Sequence, residues 1–433
     1  MLPLATVPPC LFEILQTCRG AFGAPGFATF VVLVTGALGA VGPRTITGIW
    51  VATGLACRFH WSRAHRFFSE TRWDPDALGL MLAQLAVSVF VAAEAPLTIA
   101  VDDTLFHRYG KLVHGAAWQH DGSAKGRDGI GRGNCFVVVG LVVDIAFMGR
   151  GVLLPLLFRL YTPQDGPAKT EHARTMVNLL SQAFAQRHVH VVADALYRGP
   201  AWLNLPENVT FTTRLSATAV LYGPQPQPTG KRGHPAWKGP RLGTPAEIAE
   251  TATWRATAVT RYGDTDTVAV TDIPCLWWGS LHRTPVRLIL VRDPNLHHRD
   301  LALITTDLIT PVETIIARYA NRWSIEQTIK DGKELLGVGN AQNRLPRAVE
   351  RTVPFMLLTL TILVCWYVRF GDVQADLAER RSWARWYHRK KTTISVTDML
   401  IAFRRARITT VHTVQATPDL NDHTTPTKAA KAA

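Results

Sequence analysis

The chain has 433 residues, 47% of them apolar, enough for two or three folded units and too apolar for a disordered polypeptide. Lys and Arg number 47 against 33 Asp and Glu, a formal net charge of +14, which points to a polyanionic partner, nucleic acid ahead of an anionic membrane. The six cysteines are scattered and form no CxxC, which argues against structural zinc and a disulfide framework and fits a reducing cytoplasm.

Residues 1 to about 92 read as helical. Ala21 to Pro43 is uncharged and long enough to span a bilayer, but glycines and two prolines interrupt it and no strong n-region precedes it. It reads as buried helices joined by a Gly/Pro turn, and the apolar runs near 77–101 and 354–368 read as core elements. In "CRFHWSRAHRFF", Arg58, His60, Arg63, His65 and Arg66 alternate with Phe59, Trp61, Phe67 and Phe68. Such a segment is either the solvated face of an amphipathic helix or a DNA-contacting element, with Arg63 and Arg66 as the candidate contacts. Asp74 then caps a helix that Pro75 opens.

"PLTIAVDDT" is a short apolar strand ending in Asp102 and Asp103. A Gly-rich basic connection follows, then two strong strands, "CFVVVGLVVDIAF" and "GVLLPLLFRLY". Met176, Leu179, Leu180 and Phe184 recur at helical spacing, and "HVHVVADALYRG" is a strand running into Asp194. The order is strand, strand, strand, helix, strand, with acids ending the first and fourth strands. The glycines at 126, 129, 131 and 133 lie between strands and do not open a helix, so they are not read as a nucleotide loop. His107, His114 and His120 read as surface or DNA-facing histidines and not as zinc ligands. From about 207 to 306, short strands alternate with Pro/Gly-rich turns. Pro311 opens a helix through "YANRWSIEQTIKDGKELLG", and the chain is helical again from 338.

On one continuous helix, Tyr319, Arg322, Glu326 and Lys333 would share a stripe of roughly 60°, mixing an aromatic ring, two cations and a carboxylate. Together with Asp102 (or Asp103) and Asp194, Glu326 completes a set of three carboxylates drawn from distant parts of the chain. Two acids at the ends of neighbouring strands and a third on a helix over the sheet suit phosphodiester chemistry, where rigidly held oxygen ligands bind two hard cations. Successive strand residues face opposite ways, so either Asp102 or Asp103 can be the ligand.

The chain resembles the bacterial insertion-sequence transposases of the DDE class, whose catalytic core is RNase H-like. The resemblance rests on a Y-(2)-R-(3)-E-(6)-K signature at Tyr319, Arg322, Glu326 and Lys333, on a D-x-T block at Asp102–Thr104, and on a D-x-x-Y block at Asp194–Tyr197. It covers roughly residues 55–400 and implies an α/β fold with an RNase H-like mixed sheet flanked by helices, interrupted by an inserted mostly-β domain, and helical terminal regions. It also implies Asp102, Asp194 and Glu326 as catalytic metal ligands, the D-x-T alignment favouring Asp102 over Asp103. Two Mg²⁺ ions would be bound, with Mn²⁺ as a substitute. Tyr319, Arg322 and Lys333 would grip DNA phosphates, and an aromatic of the inserted domain, Trp254, Trp277 or Trp278, would stack on a flipped base.

The implied partners are double-stranded DNA, as terminal inverted repeats and target, and a second copy in a synaptic homodimer, with no membrane and a cytoplasmic, nucleoid-associated location. An inactive DNA-binding regulator or decayed copy is the alternative. The expected organisation is a helical DNA-binding region over 1–92, a core over 93–206, an inserted β domain over 207–306, the catalytic-glutamate helix over 307–345, a helical region over 346–420 and a disordered tail over 421–433.

Overall fold

Pro25 and Pro75 each lie in the first turn of a helix, where the missing N–H has no partner to lose. The computed structural model that shows this describes residues 2, 6–122, 129–227, 236–261, 263–293, 300–383 and 390–416, so the tail expected over 421–433 lies outside the described residues. Five helices open the chain: α1 (Pro9–Gln16), α2 (Ala24–Gly39), α3 (Ile46–Ala52), α4 (Ser62–Ser69) and α5 (Pro75–Phe90). The uncharged stretch from Ala21 to Pro43 gives a single helix, α2, and not two joined by a turn. Its glycines do not break it because they serve close packing: a Cβ on Gly36 would lie 2.5 Å from the carbonyl oxygen of Ile49 in α3. Every residue of α2 from Gly26 to Leu38 is buried.

The core strands follow: β1 (Leu97–His107), β2 (Ala117–His120), β3 (Ile130–Ile145), β4 (Arg150–Tyr161), then α6 (Lys169–Ala183), β5 (Val189–Ala193) and β6 (Val209–Arg214). β3 lies antiparallel to β1 and to β4, while β1, β5 and β6 run parallel. With the short β2 as an added antiparallel segment on β3, the order of β1, β3 and β4 antiparallel followed by β5 and β6 parallel gives the RNase H-like arrangement expected. Residues 209–214, read from sequence with the β block, belong to this core: β6 is buried over most of its length and pairs with β5. The β3–β4 ladder slips between Val139 and Gly140, where Val139 faces Leu157 and Gly140 faces Pro155. Proline lacks the N–H a regular ladder needs, so a bulge is where it is tolerated.

The β block continues this sheet. β7 (Leu221–Tyr222), β8 (Arg241–Gly243), α7 (Pro245–Thr251), β9 (Arg255–Arg261), β10 (Asp264–Leu276), α8 (Trp278–Leu281), β11 (Pro285–Arg292) and β12 (Leu301–Thr305) follow in order. β12 pairs antiparallel with β6, so the described strands form one 12-stranded sheet. The chain closes with α9 (Val312–Ala320), α10 (Ser324–Leu335), α11 (Pro346–Phe370), α12 (Val373–Trp383) and α13 (Val396–Ala416).

α11 is long and apolar enough to cross a bilayer, yet 83% of its most apolar window is buried inside the protein. Phe355 of α11 meets Phe30, Phe67 and Phe68 edge-on, which places α2, α4 and α11 in one aromatic core.

Candidate active site

The register of the parallel strands builds the first half of the site. β1 and β5 pair from Leu97↔Val189 to Val101↔Ala193, and there β5 ends. The next residues are Asp102 and Asp194, so the ladder delivers two carboxylates side by side at its carboxyl end. β1 itself continues to His107 through its pairing with β3. Asp102 therefore lies within a strand and not at its end; what ends at Val101 is the parallel partner. Asp194 caps the short 3-10 turn Ala195–Tyr197: its Oδ1 accepts the Leu196 N–H at 2.8 Å, and its main-chain oxygen accepts the Thr213 hydroxyl at 2.7 Å.

Asp102 and Asp103 face opposite ways, as strand geometry requires. Asp103 accepts from Lys169 Nζ at 2.6 Å, from the Tyr197 hydroxyl at 3.1 Å and from Cys135 Sγ at 3.2 Å. Burial alone would lower the Lys169 ammonium, but its bond to Asp103 holds it above its ordinary value; burial pushes the Cys135 thiol up to about 12. Asp102 instead faces Arg322, whose Nη1 lies 3.5 Å from Oδ2. Burial raises the Asp102 carboxyl to about 7; Arg322 opposes the rise, and the neighbouring Asp194 and Asp103 add to it.

The second half comes from the helices after β12. The continuous helix expected over Tyr319–Lys333 is interrupted: α9 ends at Ala320, Asn321–Trp323 form a 3-10 turn, and α10 starts at Ser324. Packing imposes the break. α9 buries Val312, Ile315 and Ile316 against Val259, Val268, Ile289 and Leu303 of the β block, with Tyr319 against the same cluster. α10 turns Ile325, Thr328, Ile329 and Gly332 inward, and the Thr328 hydroxyl donates to Leu153 O in β4 at 3.0 Å. The backbone stays right-handed helical through the tighter turn, which divides the segment packed on the β block from the one packed on β4. Tyr319 thus sits on a different helix from Glu326, while the Arg322 guanidinium still lies 5.9 Å from its ring centroid.

Arg322 Nη2 donates to Glu326 Oε1 at 3.1 Å, so one guanidinium links Asp102 to Glu326. Its Nε is buried without a hydrogen-bond partner. Lys333 donates to Leu105 O at 3.1 Å and lies 5.1 Å from the Phe106 ring centroid; burial lowers its ammonium. Among the described residues, no group of three His, Cys, Asp or Glu is arranged to hold a metal ion. A cation nevertheless occupies the space between Asp102 and Glu326, in the form of Arg322. Carboxylate oxygens of Asp102 and Glu326 flank this guanidinium, and Asp194 is close enough to Asp102 to add to the rise that burial causes there. That donor set fits a hard divalent cation.

The remaining sequence candidates lie elsewhere. Arg63 donates from Nε to the Thr29 hydroxyl at 3.2 Å, and Arg66 meets Glu70 at 3.6 Å on the outer face of α4. Neither pairs with an acid of the crevice. Phe67 and Phe68 are core residues, whereas Trp61 is 51% exposed, so the basic-aromatic run has one buried and one solvated face. Trp277 is buried, the Arg292 guanidinium lies over Trp254 at 4.1 Å, and Trp278 meets His282 edge-on. Trp323, next to Arg322 in the chain, is 45% exposed. His107 pairs with Asp121 at 2.6 Å and His114 with Glu350 at 3.6 Å. Of the glycines, 126 lies outside the described residues, and Gly131 and Gly133 sit within β3. Lys169 and Cys135 were not legible as neighbours of the site, because nothing in their local sequence says which strand they reach.

A family model described as DDE superfamily endonuclease matches residues 22–273, more than half of the chain. The match includes Asp102, Asp103 and Asp194 and stops before the helix of Glu326. No curated protein matches significantly. Among solved structures, the cryo-EM structure of a piggyBac transposase synaptic complex with hairpin DNA is similar to 96% of this chain and 79% of that one, at 9% identity and a TM-score of 0.41.

Proposed function

Since the chain belongs to the DDE superfamily endonucleases, we propose that it is the transposase of a bacterial insertion sequence, cutting double-stranded DNA at terminal inverted repeats and joining the freed 3′ hydroxyls to target DNA. The observation that carries this reading is the parallel register that sets Asp102 beside Asp194, with Arg322 linking Glu326 to the pair. Asp102, Asp194 and Glu326 would hold two Mg²⁺ ions, or Mn²⁺ in their place, which supply activation of the attacking oxygen and stabilisation of the leaving one.

The chain's own groups do the rest. Arg322 offers a planar fork of donors to a phosphate beside the scissile bond. Burial keeps the Tyr319 hydroxyl above its ordinary pKa, so it stays protonated and can donate to a phosphate oxygen. Lys333 adds a point charge on the same side as Glu326. The outer face of α4, with Arg63 and Arg66, is the second DNA contact of this proposal, and a homodimer brings two ends together. The six free cysteines agree with action in the reducing cytoplasm, at the nucleoid.

Asp194→Ala and Glu326→Ala test the assignment. Each should abolish cleavage of a labelled transposon end in Mg²⁺ while a gel shift with the same DNA persists. Full cleavage by either variant removes the assignment.

A further inference from the structure

On the face of β1 opposite Arg322, a buried polar knot joins the two acid-bearing segments. Tyr197 is fully buried, three residues after Asp194, and its hydroxyl donates to Asp103 Oδ1 at 3.1 Å. The β1–β5 ladder ends at Val101↔Ala193, so no ladder bond holds Asp102 to Asp194. The Tyr197–Asp103 bond spans that gap just beyond the ladder, from the turn after Asp194 to the residue after Asp102. Lys169 Nζ, 2.6 Å from Asp103 Oδ2, and Cys135 Sγ, 3.2 Å from the same oxygen, hold the carboxylate in place. Tyr197 is itself anchored through its main-chain oxygen, which accepts the Trp202 indole N–H at 2.5 Å.

A buried charged pair of this kind is a poor choice for stability alone, since apolar residues of similar volume commonly do as well. A tether with one fixed length has another use: it sets the spacing of two ligand oxygens. We propose that Tyr197 and Asp103 are positioning residues of the acid crevice, whose hydrogen bond fixes the separation of Asp102 and Asp194 and thereby the affinity of the pair for a divalent cation. This rests on the reading of Asp102 and Asp194 as cation-holding acids given above.

Tyr197→Phe removes one oxygen and keeps the ring, the main-chain bond to Trp202 and the Lys169–Asp103 pair. Mn²⁺ binding to the full-length protein, measured by calorimetry at constant pH, should weaken about tenfold, the lower end of what loss of an outer ligand partner causes. Binding of a DNA end should stay unchanged, and the Mn²⁺ concentration for half-maximal cleavage should rise in parallel. A lowered melting temperature with unchanged Mn²⁺ affinity would overturn the proposal. Should Tyr197→Phe fold poorly, the double change Asp103→Leu with Lys169→Met removes the acceptor without leaving a buried charge unpaired. It should show the same tenfold weakening, and wild-type affinity there would equally overturn the proposal. Asp102→Asn and Asp194→Asn, run alongside, separate the two readings. If neither lowers Mn²⁺ binding, the acid-pair reading fails. If both do and Tyr197→Phe does not, only the tether fails.

Discussion

Arg322 stands between Asp102 and Glu326, 3.5 Å from one carboxylate and 3.1 Å from the other. A monovalent guanidinium and a divalent ion cannot share that space without strong repulsion. At about 4 Å and an effective dielectric near 20, two unit charges interact by roughly 4 kcal/mol. Arg322→Gln should therefore tighten Mn²⁺ binding to the DNA-free protein by about tenfold, or 1.4 kcal/mol, even after relaxation. Cleavage of a DNA end should fall in the same variant, because the phosphate loses its bidentate donor. Calorimetry and a nicking assay on one preparation check both halves; unchanged ion affinity would show that Arg322 does not compete.

His190 gives the fold a pH dependence of its own. Its Nδ1 lies 2.5 Å from the Thr210 hydroxyl and 3.6 Å from Asp307. Burial lowers the imidazole to about 4, Arg318 pushes the same way, and Asp307 opposes. The unfolded chain takes up a proton near 6.5 and the folded chain only near 4. The stabilisation is complete above 6.5 and drains away as pH falls through that window. Relative to His190→Gln, the wild type should lose on the order of 2–3 kcal/mol between pH 7 and pH 4, read from urea midpoints. Parallel curves would refute it.

Gly79 is where α5 touches the bulged strand. A Cβ there would lie 2.0 Å from Leu156 O, main-chain against main-chain, so the helix would have to back away. Gly79→Ala should cost about 2 kcal/mol in a denaturation midpoint. Gly279→Ala is the control, since nothing lies within 4 Å of its added carbon, and it should stay within about 0.5 kcal/mol of wild type.

The outer face of α4 makes a separable prediction. Arg66 and Glu70 are 68% and 66% exposed in their side chains, a pair that contributes little to stability. Arg66→Ala should leave the melting curve unmoved. Combined with Arg63→Ala, it should weaken binding to DNA of any sequence and flatten the salt dependence by about one unit of log–log slope per arginine. An unchanged salt slope would remove α4 from the DNA contact.

Much of the crevice was legible because the signals are local. An apolar run that stops at an acid marks Asp194 directly, since the strand and its parallel pairing end together. It misplaced the end of β1, because β1 keeps one partner, β3, after losing the other, and sequence does not say which edge a residue is bonded on. The alternation of side chains says only that Asp102 and Asp103 face opposite ways; that Lys169 and Tyr197, from distant elements, reach Asp103 is visible only in the fold. Tyr319 to Lys333 reads as one helix by propensity; the turn at Asn321–Trp323 arises from two packing surfaces that no local pattern encodes. The strand at 209–214 was grouped with its neighbours in texture, though its parallel partner puts it in the core.

The antiparallel seam between β6 and β12 has a mechanical consequence. Thr305, hydrogen-bonded to Thr212 through their hydroxyls at 2.8 Å, is only a few residues from the start of α9. Asp307, between them, accepts the N–H groups of Ile309 and Thr310 and meets Arg318 at 3.2 Å, which stiffens the connection. The outer strands β9 to β11 therefore join the turn carrying Arg322 by a short hydrogen-bonded link and through the α9 side chains they bury. Trimming that outer flap would uncover the apolar face of α9, the helix that leads into Arg322, and not merely remove an appendage.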